Sequence, residues 1–570
     1  MNALIKLTKR KYYLDLFSSF KNSTKKLWQS INSLTKTPNN QHKVSSLIQN
    51  DRILSSPHEI STAFNNHFAD VASSLDKELP QPINDPLEYM RDIRLLNDDN
   101  MAIPEATIND IIATIKSLPN KKCHIKDYSP LLIKENSSVL AHPLKFLFNQ
   151  SIQQGKFPDS LKTARIIPIY KKGPKSNIDN YRPISLLNIF SKIMEKLMKH
   201  YLIEFIDSKK ILSPNQFGFQ SGKSTQDALI KFSKMLYQQL DQSNHVLSIF
   251  IDFKKAFDTV PHHILLKKLE FYGIRGTLNT WFEDYLSNRS QRTFVNNYLS
   301  DARDTSFGVP QGSVLGPLLF LILINDLPLF SNILSTILFA DDANLSLSGN
   351  DPRSLIITAN IELEKFYYWC LANRLSLNGI KTYYVMFSNR SPKDLPPLLI
   401  KSAYTFELIH RVSEIKFLGI YYDQNLTFKK HISYLCQRLA RVSSLIYRVR
   451  DIMPVHVRKL MYHAHVYSIL GYCNLIWANT YPSHLIPLIR QHKRVIRNVA
   501  RADYFAHTEP LFQELRLLNF DGIRKISLAV HIFTHRQEYE HTLQANHAYQ
   551  TRHRNRLRMP AHFHTLFQNS

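Results

Sequence analysis

The chain has 570 residues, 44% of them hydrophobic, so it is long enough for several domains with cores and is not a disordered chain. Lysine and arginine number 72 against 46 acidic residues, and the net charge of +26 favours nucleic acid as a partner over a membrane surface. A generally basic, soluble surface is the alternative. The cysteines, Cys123, Cys370, Cys436 and Cys473, lie far apart, which argues against a zinc knuckle and against a disulfide framework.

The N-terminal region, residues 1–100, is polar and predicts a basic helical extension that ends in a linker at LPQPINDP. Its first segment, MNALIKLTKRKYY, has no apolar run long enough for a signal peptide. The longest apolar run of the chain, VLGPLLFLILI at 314–324, is too short for a bilayer, which needs about 20 residues. We therefore expect an intracellular, soluble protein without a membrane-spanning segment.

From about residue 101 to 420, helical and strand patterns alternate, which predicts an α/β or α+β core. In this region VLSIFI is an apolar run typical of a buried strand, and it leads to Asp252. Further along, STILFADDANLSLSG predicts a strand, a tight turn and a second strand, with Asp341 and Asp342 adjacent at the turn. A divalent cation would relieve the repulsion between these carboxylates. The strand and the hairpin could together place three carboxylates around Mg²⁺ for two-metal phosphoryl transfer, or they could be ordinary acidic strand ends.

The segment GVPQGSVLGPLLF carries Gly308, Gly312 and Gly316, in a chain that has only 14 glycines. Glycine allows a second backbone or a flat ligand to approach closely, and Gln311 adds a polar amide. Such a loop could form the surface against which a base pair lies. It could equally be a tight structural loop that precedes the buried helix predicted over residues 318–324.

Beyond residue 420 the pattern predicts an amphipathic helix over residues 426–450, with basic residues between the apolar ones. The basic face is either solvated or in contact with phosphates. The C-terminal segment, which includes YQTRHRNRLRMPAHFH, predicts a loosely ordered basic tail. The apolar positions of the helix are Ile432, Leu435, Leu439, Val442, Leu445, Ile446 and Val449, and the basic ones are Lys430, Arg438, Arg441, Arg448 and Arg450.

Eight segments, in chain order, resemble the successive motifs of reverse transcriptases, in particular those of LINE-type, non-LTR, Jockey-like retrotransposons. They are ARIIPIYKKGP, NYRPISLL, QFGFQSGKST, IDFKKAFDTV, GVPQGSVLGPLLF, LFADDANLSL, LSLNGIKT and FLGIYYD. The resemblance implies an α+β right-hand polymerase with fingers, a palm that contains an antiparallel sheet, and a helical thumb, flanked by mainly helical extensions. The implied boundaries are 1–100 for the N-terminal extension and linker, 101–420 for the fingers and palm, 421–500 for the thumb, and 501–570 for the basic His/Arg-rich C-terminal region.

The resemblance also implies roles for single residues. Asp252, Asp341 and Asp342 match the metal-binding carboxylates, and of these Asp252 and Asp341 would hold both ions while Asp342 supports them. The backbone carbonyl of Phe253 matches a further metal ligand. Phe257 matches the aromatic gate that excludes a 2′-OH, although its apolar setting also suits a core residue.

Residues that bind the nucleotide and the template are implied in the same way. Lys171 and Arg182 match the finger residues that bracket the triphosphate, because lysine supplies a point charge and arginine a forked contact. Lys172 could exchange roles with Lys171. Gln311 and Gly312 match the platform for the template and the nucleotide.

The function implied by the resemblance is an RNA-directed DNA polymerase that extends a primer 3′-OH on an RNA template with dNTPs, using Mg²⁺ or Mn²⁺. Lys381 matches a lysine that would protonate the leaving pyrophosphate, and an ordinary surface lysine is the alternative. The segment at 417–423, FLGIYYD, resembles the primer grip. The expected partners are template RNA, a DNA primer or target, and dNTPs, in a ribonucleoprotein of the nucleus or cytoplasm.

Several features depart from the family pattern. No segment resembles the endonuclease that usually precedes this polymerase, and LPNKKCHIKDYSP lacks the usual Pro-Gly-x-Asp turn. SGKST ends like a phosphate loop, but Phe217 stands where that loop needs its first glycine, which argues against an ATPase. A non-catalytic RNA-binding derivative of such an element and an intron-type maturase are the alternatives. The retained aspartates argue against the first, and NYRPISLL with GVPQGSVLGPLLF argues against the second.

Overall fold

The computed structural model describes residues 2–20, 23–35, 44–49, 52–91, 100–120, 128–390 and 392–536. Most of LPNKKCHIKDYSP, with Cys123, and the basic C-terminal tail beyond residue 536 lie outside these ranges. Within them helices and sheets are mixed, which confirms the predicted combination of the two. None of the described helices combines the length and the apolar composition needed to cross a membrane. The cysteines at 370, 436 and 473 are free thiols.

Helices form most of the described structure. They are α1 Asn2–Ser19, α2 Thr24–Thr35, α3 Pro57–Glu78, α4 Ile108–Lys116, α5 Pro130–Glu135, α6 Ser137–Gln154, α7 Ile189–Ser208, α8 Thr225–Asp241, α9 His262–Phe271, α10 Thr277–Leu286, α11 Gly316–Leu323, α12 Pro352–Ala372, α13 Lys429–Val449, α14 Val455–Tyr462, α15 Ser468–Gly471, α16 Asn474–Trp477, α17 Pro482–Ala500, α18 Thr508–Leu515 and α19 Phe520–Thr534. A π-helical turn, His463–Tyr467, joins α14 to α15.

The strands are short and belong to two larger sheets and three hairpins. They are β1 Leu47–Gln49, β2 Arg52–Leu54, β3 Thr163–Tyr170, β4 Tyr181–Leu186, β5 His245–Ile251, β6 Arg289–Val295, β7 Tyr298–Leu299, β8 Arg303–Thr305, β9 Ser335–Phe339, β10 Asp342–Gly349, β11 Tyr383–Phe387, β12 Leu399–Ser402, β13 Thr405–Leu408, β14 His410–Arg411, β15 Glu414–Phe417 and β16 Ile420–Asp423.

One five-stranded sheet, with strand order β14-β11-β5-β10-β9, contains the predicted acidic segments. Its central strand β5 is antiparallel to both β10 and β11. Every residue of β5 after His245 is buried, because α8 and α12 cover the sheet. This burial explains why these residues form an apolar run in which only Ser248 is polar, and the Ser248 hydroxyl is hydrogen-bonded to that of Ser346. The predicted buried strand and the predicted hairpin are both confirmed.

A second five-stranded sheet has the order β4-β3-β6-β7, with β8 paired to β6. The helix α3 packs on β6, β7 and β8, and its buried residues Ile60, Phe64 and Phe68 form a separate small core with Tyr181 of β4. This sheet is joined to the segment that follows β8, because Ser185 N donates a hydrogen bond of 2.8 Å to the carbonyl oxygen of Gln311. The contact brings β3 and β4 towards the first sheet.

Helices α13 to α19 pack into a core that also includes one face of the first sheet. Its two longest helices, α13 and α17, pack against each other. Trp477 and Phe512 are buried in this core. The helices α1 and α2, from the opposite end of the chain, add Phe17, Leu27 and Ile31 to the same core. Segments far apart in sequence therefore share one apolar interior.

Candidate active site

The three predicted carboxylates lie at one edge of the first sheet. Strands β5 and β10 are paired so that Ile251 is opposite Ala343. Next to that pair, Asp252 directly follows β5 and Asp342 is the first residue of β10, and Asp341 occupies the turn between β9 and β10. Ala340, the other residue of the turn, has a φ of 56°, in the left-handed region that tight hairpin turns require.

The carboxylates of this edge repel one another. Partial burial, and then the charges of Asp341 and Asp252, raise the pKa of Asp342 to about 6. Burial also raises the pKa of Asp341, and the charge of Asp252 adds to the shift. Both hairpin residues are open to solvent on one side, so a ligand can reach them. Such repulsion is relieved when a cation binds.

The three carboxylates form a donor set that fits divalent cations. Carboxylate oxygens are the hard ligands that Mg²⁺ and Mn²⁺ prefer. Within the described residues, however, these three carboxylates are not a group whose ligand atoms all lie within 4.8 Å of one another.

Two basic residues face the carboxylates from the second sheet. Lys171 directly follows β3, and Arg182 lies on β4 opposite Ile169. The positive charges of both residues lower the pKa values of Asp341 and Asp342, and so oppose the effect of burial. Partial burial, and then the charges of Arg182 and Lys381, lower the pKa of Lys171. The charge of Lys171 thus acts on the carboxylates, as expected for the lysine of this pair that faces them.

The loop before β11 holds Asp252 in place. Asn378 Nδ2 donates a hydrogen bond of 2.7 Å to Oδ2 of Asp252, and Asn378 N donates one of 2.9 Å to the carbonyl oxygen of Asp252. Lys381 Nζ is 3.9 Å from the same Oδ2, and the Lys381 side chain is 58% exposed. Sequence reasoning missed Asn378, although LSLNGIKT was singled out, because an asparagine before glycine reads as a turn residue.

The two phenylalanines that follow β5 have different surroundings. Phe253 is buried, and its ring centroid is 6.3 Å from that of Phe366. Phe257 is only partly buried, and its ring centroid is 4.5 Å from Phe320 and 6.3 Å from Phe219. The ring of Phe257 is therefore held from two sides while part of it stays accessible.

The loop that contains Gln311 and Gly312 packs against β4. A Cβ on Gly312 would lie 2.4 Å from the carbonyl oxygen of Ser185, and its φ is 129°, so only glycine fits this position without strain. Gln311 Nε2 donates a hydrogen bond of 2.8 Å to Oδ1 of Asp258. Burial raises the pKa of Asp258 to about 6. The structure thus directs the Gln311 amide towards Asp258.

Comparison with known proteins identifies the family that this part of the chain matches. Residues 169–422 match the family described as reverse transcriptase (RNA-dependent DNA polymerase). Every residue placed above around the carboxylates falls inside this stretch. Residues 169–422 belong to the reverse transcriptase family.

The reverse transcriptase domain also has relatives that extend over more of the chain. The chain is 28% identical over 496 residues to the probable RNA-directed DNA polymerase from transposon BS of Drosophila melanogaster, covering 82% of this chain and 52% of that protein. It is 27% identical over 436 residues to the RNA-directed DNA polymerase from mobile element jockey of the same species, covering 73% and 46%. The chain spans about half the length of these curated relatives.

In the reverse transcriptase domain, a segment before α8 supports the aspartate turn. Gln216 Oε1 accepts hydrogen bonds from Gly218 N at 2.7 Å and from Ala340 N at 3.0 Å. Phe217 N donates to the carbonyl oxygen of Leu338 at 2.8 Å. A Cβ on Gly218 would lie 2.4 Å from Ala340 N, so the two backbones touch. We call residues 215–218 the turn support; sequence reasoning did not assign them this role.

SGKST, the segment that ends like a phosphate loop, contacts the turn support. Lys223 Nζ donates a hydrogen bond of 2.8 Å to the carbonyl oxygen of Gln216, within the turn support. Ser224 is the N-cap of α8 and accepts a hydrogen bond from Asp227 N. SGKST therefore connects the turn support to α8.

Proposed function

We propose that this chain is the RNA-directed DNA polymerase of a non-LTR retrotransposon and extends a primer 3′-OH on an RNA template. The observation that carries the proposal is the convergence of Asp252, Asp341 and Asp342 at one sheet edge, with Lys171 and Arg182 facing them. Relatives named as RNA-directed DNA polymerases from the BS and jockey elements support it.

Two divalent cations, Mg²⁺ or Mn²⁺, would be held by Asp252 and Asp341, with Asp342 and the backbone carbonyl of Phe253 in support. Bound there, such ions neutralise charge on the attacking and leaving oxygens of nucleotidyl transfer. Asn378 orients the carboxylate of Asp252 through its 2.7 Å hydrogen bond. The turn support fixes the hairpin that carries the other two carboxylates.

The remaining residues act on the nucleotide. Lys171 and Arg182 bind the triphosphate of the incoming dNTP, and they also balance the negative charge of the site. Phe257 excludes a 2′-OH by shape, and Gln311 with Gly312 forms the platform for the template and the nucleotide. Lys381 donates a proton to the leaving pyrophosphate, for which its exposed position close to Asp252 is suitable.

The proposal extends to the architecture and to the partners. We assign the palm to the sheet β14-β11-β5-β10-β9, the fingers to the sheet of β3 and β4 with its neighbouring helices, and the thumb to the helices α13 to α17. FLGIYYD, which runs from the end of β15 to the end of β16, is the primer grip at the base of the thumb. The expected partners are template RNA, a DNA primer or target and dNTPs, in a ribonucleoprotein of the nucleus or cytoplasm.

The test is primer extension by the purified chain with a primed RNA template, dNTPs and Mg²⁺. We predict that Asp341→Asn lowers extension by more than about a hundredfold, because the lost carboxylate removes several kcal/mol of transition-state stabilisation. Binding of the RNA–DNA hybrid should stay close to that of the parent chain. Asp304→Asn, an exposed change on β8, is the matched control and should have no effect.

Two results would contradict the proposal. Extension by Asp341→Asn at more than about a tenth of the parent rate would mean that this carboxylate is not catalytic, since a tenfold loss is only about 1.4 kcal/mol. Tight binding of the hybrid by the parent chain without any extension would favour a non-catalytic RNA-binding derivative instead.

A further inference from the structure

A second group of ligand-type side chains lies where α19 meets the start of α8. Asp227 is in the first turn of α8, and His531 and His535 are one turn apart at the C-terminal end of α19. Ligand atoms of all three side chains lie within 4.8 Å of one another. Among the described residues, this is the group of three metal-ligand side chains whose ligand atoms lie so close together. It is separate from the carboxylates of the candidate active site.

Hydrogen bonds orient His535 and Asp227 of this group in the way that metal ligands are usually oriented. His535 Nδ1 is 3.1 Å from the carbonyl oxygen of His531, so a proton on Nδ1 is donated to that carbonyl and the lone pair of Nε2 faces Asp227. Asp227 Oδ2 accepts hydrogen bonds from Ser224 N at 2.8 Å and from Ser224 Oγ at 2.7 Å. Its other oxygen, Oδ1, is 3.4 Å from Nε2 of His535.

Apolar packing does not explain why the end of α19 lies here. The buried residues of α19 are Phe520 and Ile523 near its start and His531 near its end. Between and beyond them, Val530 is 58% exposed and Phe533 is 79% exposed. In the C-terminal half of α19 the one buried side chain is therefore the imidazole of His531.

We propose that Asp227, His531 and His535 bind a zinc ion that ties α19 to α8. Two imidazoles and one carboxylate are a donor set that suits Zn²⁺ and not Mg²⁺. Two ligand atoms about 2.0–2.1 Å from zinc in a tetrahedron are about 3.3–3.4 Å apart. The 3.4 Å between Asp227 and His535 matches that spacing, and a ring nitrogen of His531 lies within 4.8 Å of both ligand atoms and completes the set.

The site would be structural and separate from nucleotidyl transfer. Zinc would fix the end of α19 on the first turn of α8, whose N-cap Ser224 is part of SGKST, the segment that contacts the turn support through Lys223. The proposal does not depend on the polymerase assignment, because it rests only on the three ligands and their hydrogen bonds.

The test uses the full chain, freed of metal with a chelator, dialysed and titrated with zinc chloride. We expect one tightly bound zinc per chain by elemental analysis, a rise in the midpoint of thermal unfolding, and the intense visible absorption of four-coordinate cobalt when cobalt(II) replaces zinc. His531→Ala and His535→Ala should each lower zinc affinity by more than about tenfold. Replacing a residue that only hydrogen-bonds to a metal ligand already costs about that much, and loss of a ligand itself should cost more.

Two further variants make the test specific. Asp227→Asn keeps a side-chain oxygen for the cap of α8 but is a poor zinc ligand, so zinc affinity should fall while the metal-free chain keeps its unfolding midpoint. His200→Ala is the matched control, because His200 forms a surface pair with Glu204 at the same 3.4 Å distance without belonging to the group. Its zinc affinity should equal that of the parent chain.

Absence of a stoichiometric zinc in the parent chain would overturn the proposal. It would also be overturned if zinc stayed bound with unchanged affinity in the double variant His531→Ala/His535→Ala, because the metal would then lie elsewhere in the chain.

Discussion

The ring of Phe257 is fixed by Phe320 and Phe219 and is still partly accessible. A ring held in this way can reject a 2′-OH by shape. We predict that Phe257→Val lowers the ratio of dNTP to rNTP incorporation by about tenfold or more, as expected when a pocket gains space for a small group. Single-nucleotide incorporation with each substrate measures the ratio. Phe271→Leu, another partly buried phenylalanine, is the control, and an unchanged ratio in an active Phe257→Val chain would make Phe257 a core residue.

Asp258 combines a buried carboxyl with a pKa raised from 3.8 to about 6. The folded state then holds the proton more tightly than the unfolded state, so stability is lost as the pH rises from about 4 to about 6. Asp258→Asn keeps an oxygen for the Gln311 amide and removes the charge. We expect it to raise the free energy of unfolding by about 1–3 kcal/mol at pH 7.5, with a smaller gain at pH 4.5. Thermal unfolding at both pH values measures the difference, and an equal gain at both would contradict the assignment.

Sequence reasoning located Asp252, Asp341 and Asp342 because a strand end and a two-residue turn define where these side chains lie. It did not find the hydrogen bond of Asn378 to Asp252, or that of Gln216 to the aspartate turn. These bonds join residues 126 and 124 positions apart, and no local pattern carries information over such a separation. Likewise, sequence alone could not choose between Lys171 and Lys172, because only the path of the chain after β3 decides which side chain faces the carboxylates.

At the level of elements, the β9–β10 hairpin depends on the turn support. A Cβ on Gly218 would be 2.4 Å from Ala340 N, so Gly218→Ala must displace the turn that carries Asp341 and Asp342. We expect extension to fall by about tenfold or more, with a loss of about 1–3 kcal/mol in stability from overpacking. Gly471→Ala is the control, because a Cβ there meets nothing within 4 Å. The measurements are primer extension and thermal unfolding.

If Gly218→Ala extended primers at the parent rate, the close approach would not be needed to position the turn. Equal losses in Gly471→Ala would indicate a general effect of replacing glycine.

The helix α13 shows what periodicity can and cannot establish. The predicted bounds, 426–450, are close to the observed Lys429–Val449, because the apolar period of an α-helix is a local property. Its partner α17 and the π-helical turn after α14 were not predicted, since both depend on contacts between distant segments. Of the predicted apolar positions, those that are buried are Ile432, Leu435, Leu439, Ile446 and Val449, and those that are partly buried are Val442 and Leu445.

For the whole molecule, the net charge of +26 predicts salt-sensitive binding of nucleic acid. Arg438, Arg441 and Arg448 are exposed on α13, opposite its apolar stripe. For an RNA–DNA hybrid, log K falls as log salt rises, with a slope of about −0.7 to −0.9 for each phosphate contact. Replacing all three arginines by glutamine should therefore make this slope less negative by about 2. Products should become shorter, while incorporation of a single nucleotide is retained.

A salt titration of hybrid binding and a product-length assay measure these two effects. The triple replacement by lysine is the matched control, because it keeps the charge and should keep the slope. An unchanged slope with full-length products in the glutamine variant would mean that these arginines form only a solvated face.

The shared core of α1 and α2 with the C-terminal helices has a consequence for synthesis of the chain. The Trp28 ring makes an edge contact with His465, their centroids 5.7 Å apart, and Phe17, Leu27 and Ile31 are buried in the same interior. At about 5–20 residues per second, a ribosome needs about 20–90 s to travel from Trp28 to His465. During that time the apolar residues that α1 and α2 contribute to this core lack their C-terminal partners. We therefore expect this region to complete its folding only after the C-terminal helices have been synthesised, and to be prone to aggregation until then.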